Sequence, residues 1–132
     1  MPAPPIDARS QNARVLGVEP CGDDGVLLRI MALEPAGLLR AGRFFMLRSL
    51  DDASPYIPRP FSVYRQHDDE SLEFLIKVMG PGTRALAHSS PGTELLCVGP
   101  LGNGFPEFEA EVPQVMVAGG IGSVPFYMAI QQ

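Results

Sequence analysis

Apolar and polar residues alternate along most of this chain in short runs, cut by glycine, proline and aspartate. That is the pattern of half-buried strands rather than of helices. It predicts six strands, at residues 12–19, 26–31, 44–49, 59–65, 72–79 and 94–98. Val15 and Leu16 dominate the first, and Leu72, Phe74 and Ile76 alternate in the fifth. Gly22-Asp23-Asp24-Gly25 is an Asp-Gly turn that joins the first two strands as a hairpin. Pro60 opens the fourth strand, where a missing N–H does little harm. Residues 35–42, 51–58 and 66–70 read as connections. Helical spacing appears only at residues 83–89, around Leu86, and Pro91-Gly92 ends it. Short strands separated by turns predict a mainly β fold, a six-stranded antiparallel Greek-key barrel with one capping helix.

The two ends of the chain depart from that pattern. Residues 1–11 are polar and proline-rich and read as a flexible lead-in, so the barrel domain is expected over 12–110. Val115-Met116-Val117-Ala118 is a continuous apolar run. It leads into Gly119-Gly120-Ile121-Gly122 and then a helical segment at 125–132. A buried strand, a glycine turn and a helix are how an α/β nucleotide-binding unit begins. One strand and one helix cannot bury their faces alone. Residues 111–132 are therefore expected to be the incomplete start of such a domain in a truncated chain.

Composition narrows the function classes. Ten Lys and Arg against fifteen Asp and Glu give a net charge of −5, and no basic run stands out, so nucleic-acid binding is not expected. Fourteen glycines and fourteen prolines lie dispersed between apolar runs, which argues for turns rather than disorder. Cys21 and Cys97 lie far apart, outside any CxxC or Cys/His cluster, so no zinc or iron–sulfur site is expected. Reduced thiols in a cytoplasmic protein fit that pattern. The N-terminus lacks the apolar core of a signal peptide, and no apolar run approaches the ~20 residues of a membrane span.

The candidate chemistry sits in Arg59-Pro60-Phe61-Ser62 and Gly80-Pro81-Gly82-Thr83. Arg59 can grip a phosphate with two N–H groups, although taken alone it reads as a surface ion-pair partner. At ~3.3 Å rise per residue, Ser62 lies about 10 Å along the strand from Arg59. Strict alternation places the two on opposite faces. A bend at Pro60, the reach of the arginine, or action through the Ser62 backbone would reconcile them. Gly82 and Thr83 open a helix whose unpaired N–H groups favour phosphate, or they are an ordinary capped start. Gly119, Gly120 and Gly122 would let a dinucleotide's phosphates approach, a weak signal by itself. The run Gly99-Pro100-Leu101-Gly102-Asn103-Gly104-Phe105 can bring backbone close to a ligand or partner, or simply connect domains. His67 and His88 read as structural or solvated, and no catalytic residue is expected.

Taken together, the four motifs, in this order, resemble the ferredoxin–NADP reductase superfamily. Within it, the Gly-Pro-Leu-Gly-Asn-Gly-Phe run resembles the electron transfer subunits of dihydroorotate dehydrogenase B. The resemblance covers nearly all of the chain after residue 12. It implies a flavoprotein component of an oxidoreductase, with FAD as cofactor. Arg59, Gly82 and Thr83 would hold the diphosphate. Pro60 and Phe61 would form a stiff apolar wall on the flavin, and Ser62 would approach its redox edge. Leu75, Ile76 and Lys77 would line it mainly through backbone. Gly119, Gly120 and Gly122 would begin the NAD site. Electrons would pass between NADH, FAD, a [2Fe–2S] cluster and the FMN of a dihydroorotate-oxidising catalytic subunit, in a heterotetramer serving pyrimidine biosynthesis. NAD(H) and the cluster are expected only in a longer chain, because the family's four cluster cysteines have no counterparts here. The same architecture also serves sulfhydrogenase or sulfide dehydrogenase gamma-type subunits. A non-catalytic barrel for protein contact is the alternative from another class.

Overall fold

A computed structural model describes residues 8–132. Its centre is one antiparallel sheet of seven strands: β1 (Arg9–Cys21), β2 (Gly25–Ala32), β3 (Phe44–Ser49), β4 (Arg59–Ser62), β5 (Arg65–Gln66), β6 (Leu72–Lys77) and β7 (Glu94–Leu101). They lie in the order β4-β3-β7-β1-β2-β6-β5. The fold is mainly β, as the alternation predicts. Of the expected lead-in, residues 1–7 lie outside the described residues, and Arg9, Ser10 and Gln11 already pair with β7.

Long β1 makes the sheet curl. Its first half pairs with β7 through Arg14, and its second half pairs with β2 from Ala13 onward. A register shift between Val15 and Gly17 bends the strand between these partners, as an extra residue in one strand does. The β1–β2 hairpin turns at residues 22–24, with Gly22 at φ +70, a left-handed conformation that glycine adopts without a Cβ penalty.

The expected fourth strand, residues 59–65, is two strands. β4 pairs with β3 at one end of the sheet, and β5 pairs with β6 at the other. Between them the Val63 amide donates to Arg43 O (3.1 Å) and the Tyr64 amide to Glu73 O (2.9 Å). Two consecutive amides therefore bond to opposite ends of the sheet, and β4 also touches β6. The chain itself brings the two ends together, so the predicted six strands become seven by one split.

Inward positions alternate as a half-buried strand requires. Leu28, Ile30, Phe45, Leu47, Phe74, Ile76, Leu95 and Cys97 are buried in one core. Phe45 and Phe74 meet edge to face at 5.9 Å, an arrangement that aromatic quadrupoles favour. Helix α1 (Pro81–Ala87) closes one end, with Leu86 buried and contacts to β2, β3 and β6.

The last segment differs from expectation. Residues 115–118 form no strand, and Val115 and Val117 are each 85% exposed. An apolar run becomes a strand only when a neighbour completes its ladder, and among the described residues none lies beside it. Downstream come a 3-10 turn (Gly120–Ser123) and helix α2 (Phe126–Gln131). Helix α2 docks on the barrel: Phe126 stacks on Phe105 at 5.6 Å, and the Tyr127 ring meets that of Tyr64 at a tilt, 4.7 Å away. The Gln132 side chain donates to Leu39 O (2.7 Å) and accepts from the Ala41 amide (2.9 Å).

Candidate functional site

Arg59 opens β4 opposite Leu47 of β3. Its side chain is exposed, and among the described residues it has no ion-pair or hydrogen-bond partner. It runs alongside the start of α1: a Cβ placed on Gly82 would sit 3.9 Å from Arg59 Cγ and 4.0 Å from its Nε. The reach of the arginine thus brings the cation to the helix start, and the alternation of Arg59 and Ser62 across the strand is no obstacle. Pro55, from the 51–58 loop, lies 3.9 Å from the same point. Its place there has no signal in the sequence beyond a proline in a connection.

The helix start is organised by Thr83. Gly80 is the N-cap and Pro81 follows at the first helical position, where a missing N–H costs nothing. Thr83 Oγ1 accepts from the amides of Met79 (2.8 Å) and Gly80 (3.0 Å) and donates to Gly80 O (3.1 Å). The hydroxyl is therefore occupied within the cap. What Gly82 and Thr83 offer outward are the amides of a helix's first turn, which have no intrahelical acceptor.

Ser62 ends β4 opposite Phe44, half-buried. Phe61 pairs with Phe45 and packs in part against the core. Pro60, between Arg59 and Phe61, is exposed opposite Met46.

Leu75, Ile76 and Lys77 lie in β6 opposite Leu27, Val26 and Gly25 of β2. Ile76 is wholly buried, and the Lys77 ammonium lies 3.5 Å from Asp24. Ile76 thus faces the core and Lys77 pairs in the β1–β2 turn, while Leu75 is half-buried on the other face of the strand. Strand β5 covers the second edge of β6 only at Leu72 and Glu73, so no strand covers that edge beyond them among the described residues. Gly119, Gly120 and Gly122 are exposed, and a Cβ on any of them would meet nothing within 4 Å. Only Gly120, at φ +54, needs glycine's conformational range. Their turn touches β6.

Arg59 meets Gly82, β4 meets β6, and the glycine turn meets β6. Among the described residues, a cation without a partner beside helix amides without an intrahelical acceptor suits a diphosphate, and a backbone edge of β6 that no strand covers suits a flat polar ring, so these residues fit FAD. The 99–105 run does not join them as a free loop. Residues 99–101 belong to β7, and a Cβ on Gly99 would collide with the Phe45 ring at 2.3 Å. Gly102 and Gly104 adopt φ +78 and +76. Packing and backbone conformation account for these glycines.

His67 pairs with Glu73 at 3.4 Å and His88 ends α1; both are structural or solvated in kind. Among the described residues no group of three His, Cys, Asp or Glu could hold a metal. No helix among them is long and apolar enough to cross a membrane.

Solved structures share this fold. The chain superposes on the ferredoxin reductase of carbazole 1,9a-dioxygenase with a TM-score of 0.77, at 22% identity over 94% of this chain and 39% of that one. Against the Amycolatopsis cytochrome P450 reductase the TM-score is 0.78, at 21% identity over 96% and 39%. A structure of the carbazole enzyme's reductase described as an FAD apo form matches at 0.66, with 22% identity over 82% and 35%. The barrel is that of the ferredoxin reductase-like proteins.

By sequence the chain is a homologue of the electron transfer subunits of dihydroorotate dehydrogenase B (NAD(+)). It is 41% identical to that of Clostridium acetobutylicum over 92 residues, 69% of this chain and 37% of the relative. It is 38% identical to that of Bacillus cereus over 95 residues, 69% and 36%. The chain spans little more than a third of the length of these curated relatives. No protein-family model matches it.

Proposed function

We propose that this chain is the flavin-binding part of an electron transfer subunit. It carries FAD and relays electrons between NAD(H) and a partner subunit that oxidises dihydroorotate and holds FMN. The observation that supports this best is the unpaired Arg59 side chain lying against Gly82 at the start of α1. Bound FAD would supply the ability to take an electron pair from a nicotinamide and release single electrons to an acceptor. The residues of the chain bind and orient. Arg59 and the amides of Gly82 and Thr83 neutralise the diphosphate. Phe61 and Pro60 make a stiff wall for the ring, and Ser62 reaches its redox edge. The backbone of Leu75, Ile76 and Lys77 meets the polar rim, and Gly119, Gly120 and Gly122 begin the approach for NAD(H). On this reading a [2Fe–2S] cluster and the body of an NAD domain would be found only in a longer chain.

The test is direct. The purified chain is incubated with FAD and passed through a desalting column. Retention of flavin absorption bands in the protein fraction is the expected result. Elution of all flavin with the small molecules, together with no change in flavin absorption or fluorescence on equilibrium titration up to the millimolar range (about −4 kcal/mol of binding at that limit), contradicts the proposal.

A further inference from the structure

Arg43 was not singled out by any motif, yet it joins two parts of the site. It lies half-buried just before β3. Its guanidinium donates to Pro100 O (2.9 Å) and Leu101 O (3.4 Å), and its own carbonyl accepts the Val63 amide (3.1 Å). The next residue, Phe44, pairs with Ser62 on one side and Leu101 on the other. Its ring also lies 3.2 Å from where a Cβ of Gly102 would be. Phe45 in turn covers Gly99. Three consecutive residues thus grip residues 99–102 with one side and the end of β4 with the other.

The ladder between β3 and β7 is irregular at this point, with a register shift between Phe44 and Met46. Such irregularities interrupt regular pairing and re-aim side chains. A planar guanidinium that bonds two successive carbonyls restores the lost constraint, and its fork geometry does so better than an ammonium.

We propose that Arg43 is a positioning residue that sets Ser62 at the flavin's redox edge through the Pro100 and Leu101 carbonyls. It touches neither flavin nor substrate. This rests on the flavin reading above, and assigns the 99–102 run a role in it: a fixed buttress behind Ser62. The diphosphate grip at Arg59 and Gly82 is independent of this buttress. Loss of Arg43 should therefore change the flavin's environment more than its affinity.

The experiment compares the wild-type chain with Arg43→Ala and Arg43→Lys, each loaded with FAD. It records the FAD dissociation constant, the visible spectrum of bound flavin, and the oxidised-to-reduced ratio at a fixed solution potential. Arg43→Ala should bind FAD within about threefold of wild type, with a shifted spectrum and a ratio changed about fivefold, the scale of one altered hydrogen bond. Arg43→Lys should fall between the two. If Arg43→Ala does not fold, Arg43→Lys decides on the same readouts. An unchanged spectrum and ratio in the folded variants overturns the role of Arg43. Failure of the wild-type chain to hold FAD instead removes the flavin reading, and the role of Arg43 with it.

Discussion

Arg59 and Cys97 show how the same barrel makes one side chain available and another inert. Arg59 stands at a strand end with no ion-pair or hydrogen-bond partner among the described residues, its side chain alongside Gly82. Cys97 sits in β7 with 1% of its surface exposed, and burial pushes its thiol up to about 12. A thiolate is the reactive form. At about pH 8 only about one Cys97 in ten thousand would carry it. A thiol-labelling reagent should therefore modify the partly exposed Cys21 within minutes and leave Cys97 unmodified until the chain is denatured. Asp69 is a different case. Its carboxylate accepts from the Ser71 hydroxyl and amide, which hold it below the ordinary 3.8, and Arg29 adds to the effect. A carboxyl lowered on folding contributes stability above its unfolded value and loses it as pH falls through the folded one. Urea midpoints should therefore decline below about pH 4. In Asp69→Asn that decline should be shallower.

At the scale of elements, the α1 start separates a structural hydroxyl from functional amides. With Thr83 Oγ1 taken up by Met79 and Gly80, Thr83→Ala should cost about 1 kcal/mol of stability, as lost caps do. FAD affinity should stay within about threefold, which calorimetry on the folded variant checks. A tenfold loss of affinity would mean that the hydroxyl itself meets the ligand. The barrel strands were legible because inward positions such as Leu72, Phe74 and Ile76 alternate and polar turns bound them. The split at Val63 and Tyr64 was not, because the acceptors that divide the strand, Arg43 and Glu73, are set by distant pairing. The run at Val115 and Val117 shows the opposite failure: its composition suits a strand, but ladder bonds come from neighbours. Arg59 and Gly82 were legible as motifs. That the threonine hydroxyl is used internally, and that Arg43 braces the serine strand, depended on contacts no local pattern encodes.

The molecule as a whole is a curled sheet whose two ends meet through one continuous segment, with α1 at one end and α2 held to the barrel by Gln132 and by two aromatic ring contacts. On this frame Arg59 lies against the start of α1, and β4 and the glycine turn each touch β6. The central claim is that Arg59 and the first turn of α1 together hold a diphosphate. The measurement that addresses it is the ratio of FAD to riboflavin affinity in the wild-type chain and in Arg59→Ala, because the two ligands share the ring and only FAD carries the diphosphate. The wild-type chain should prefer FAD, and the variant should lose at least about tenfold of that preference, the scale of a charge-assisted contact, while riboflavin affinity stays unchanged. An equal ratio in both proteins would contradict the account.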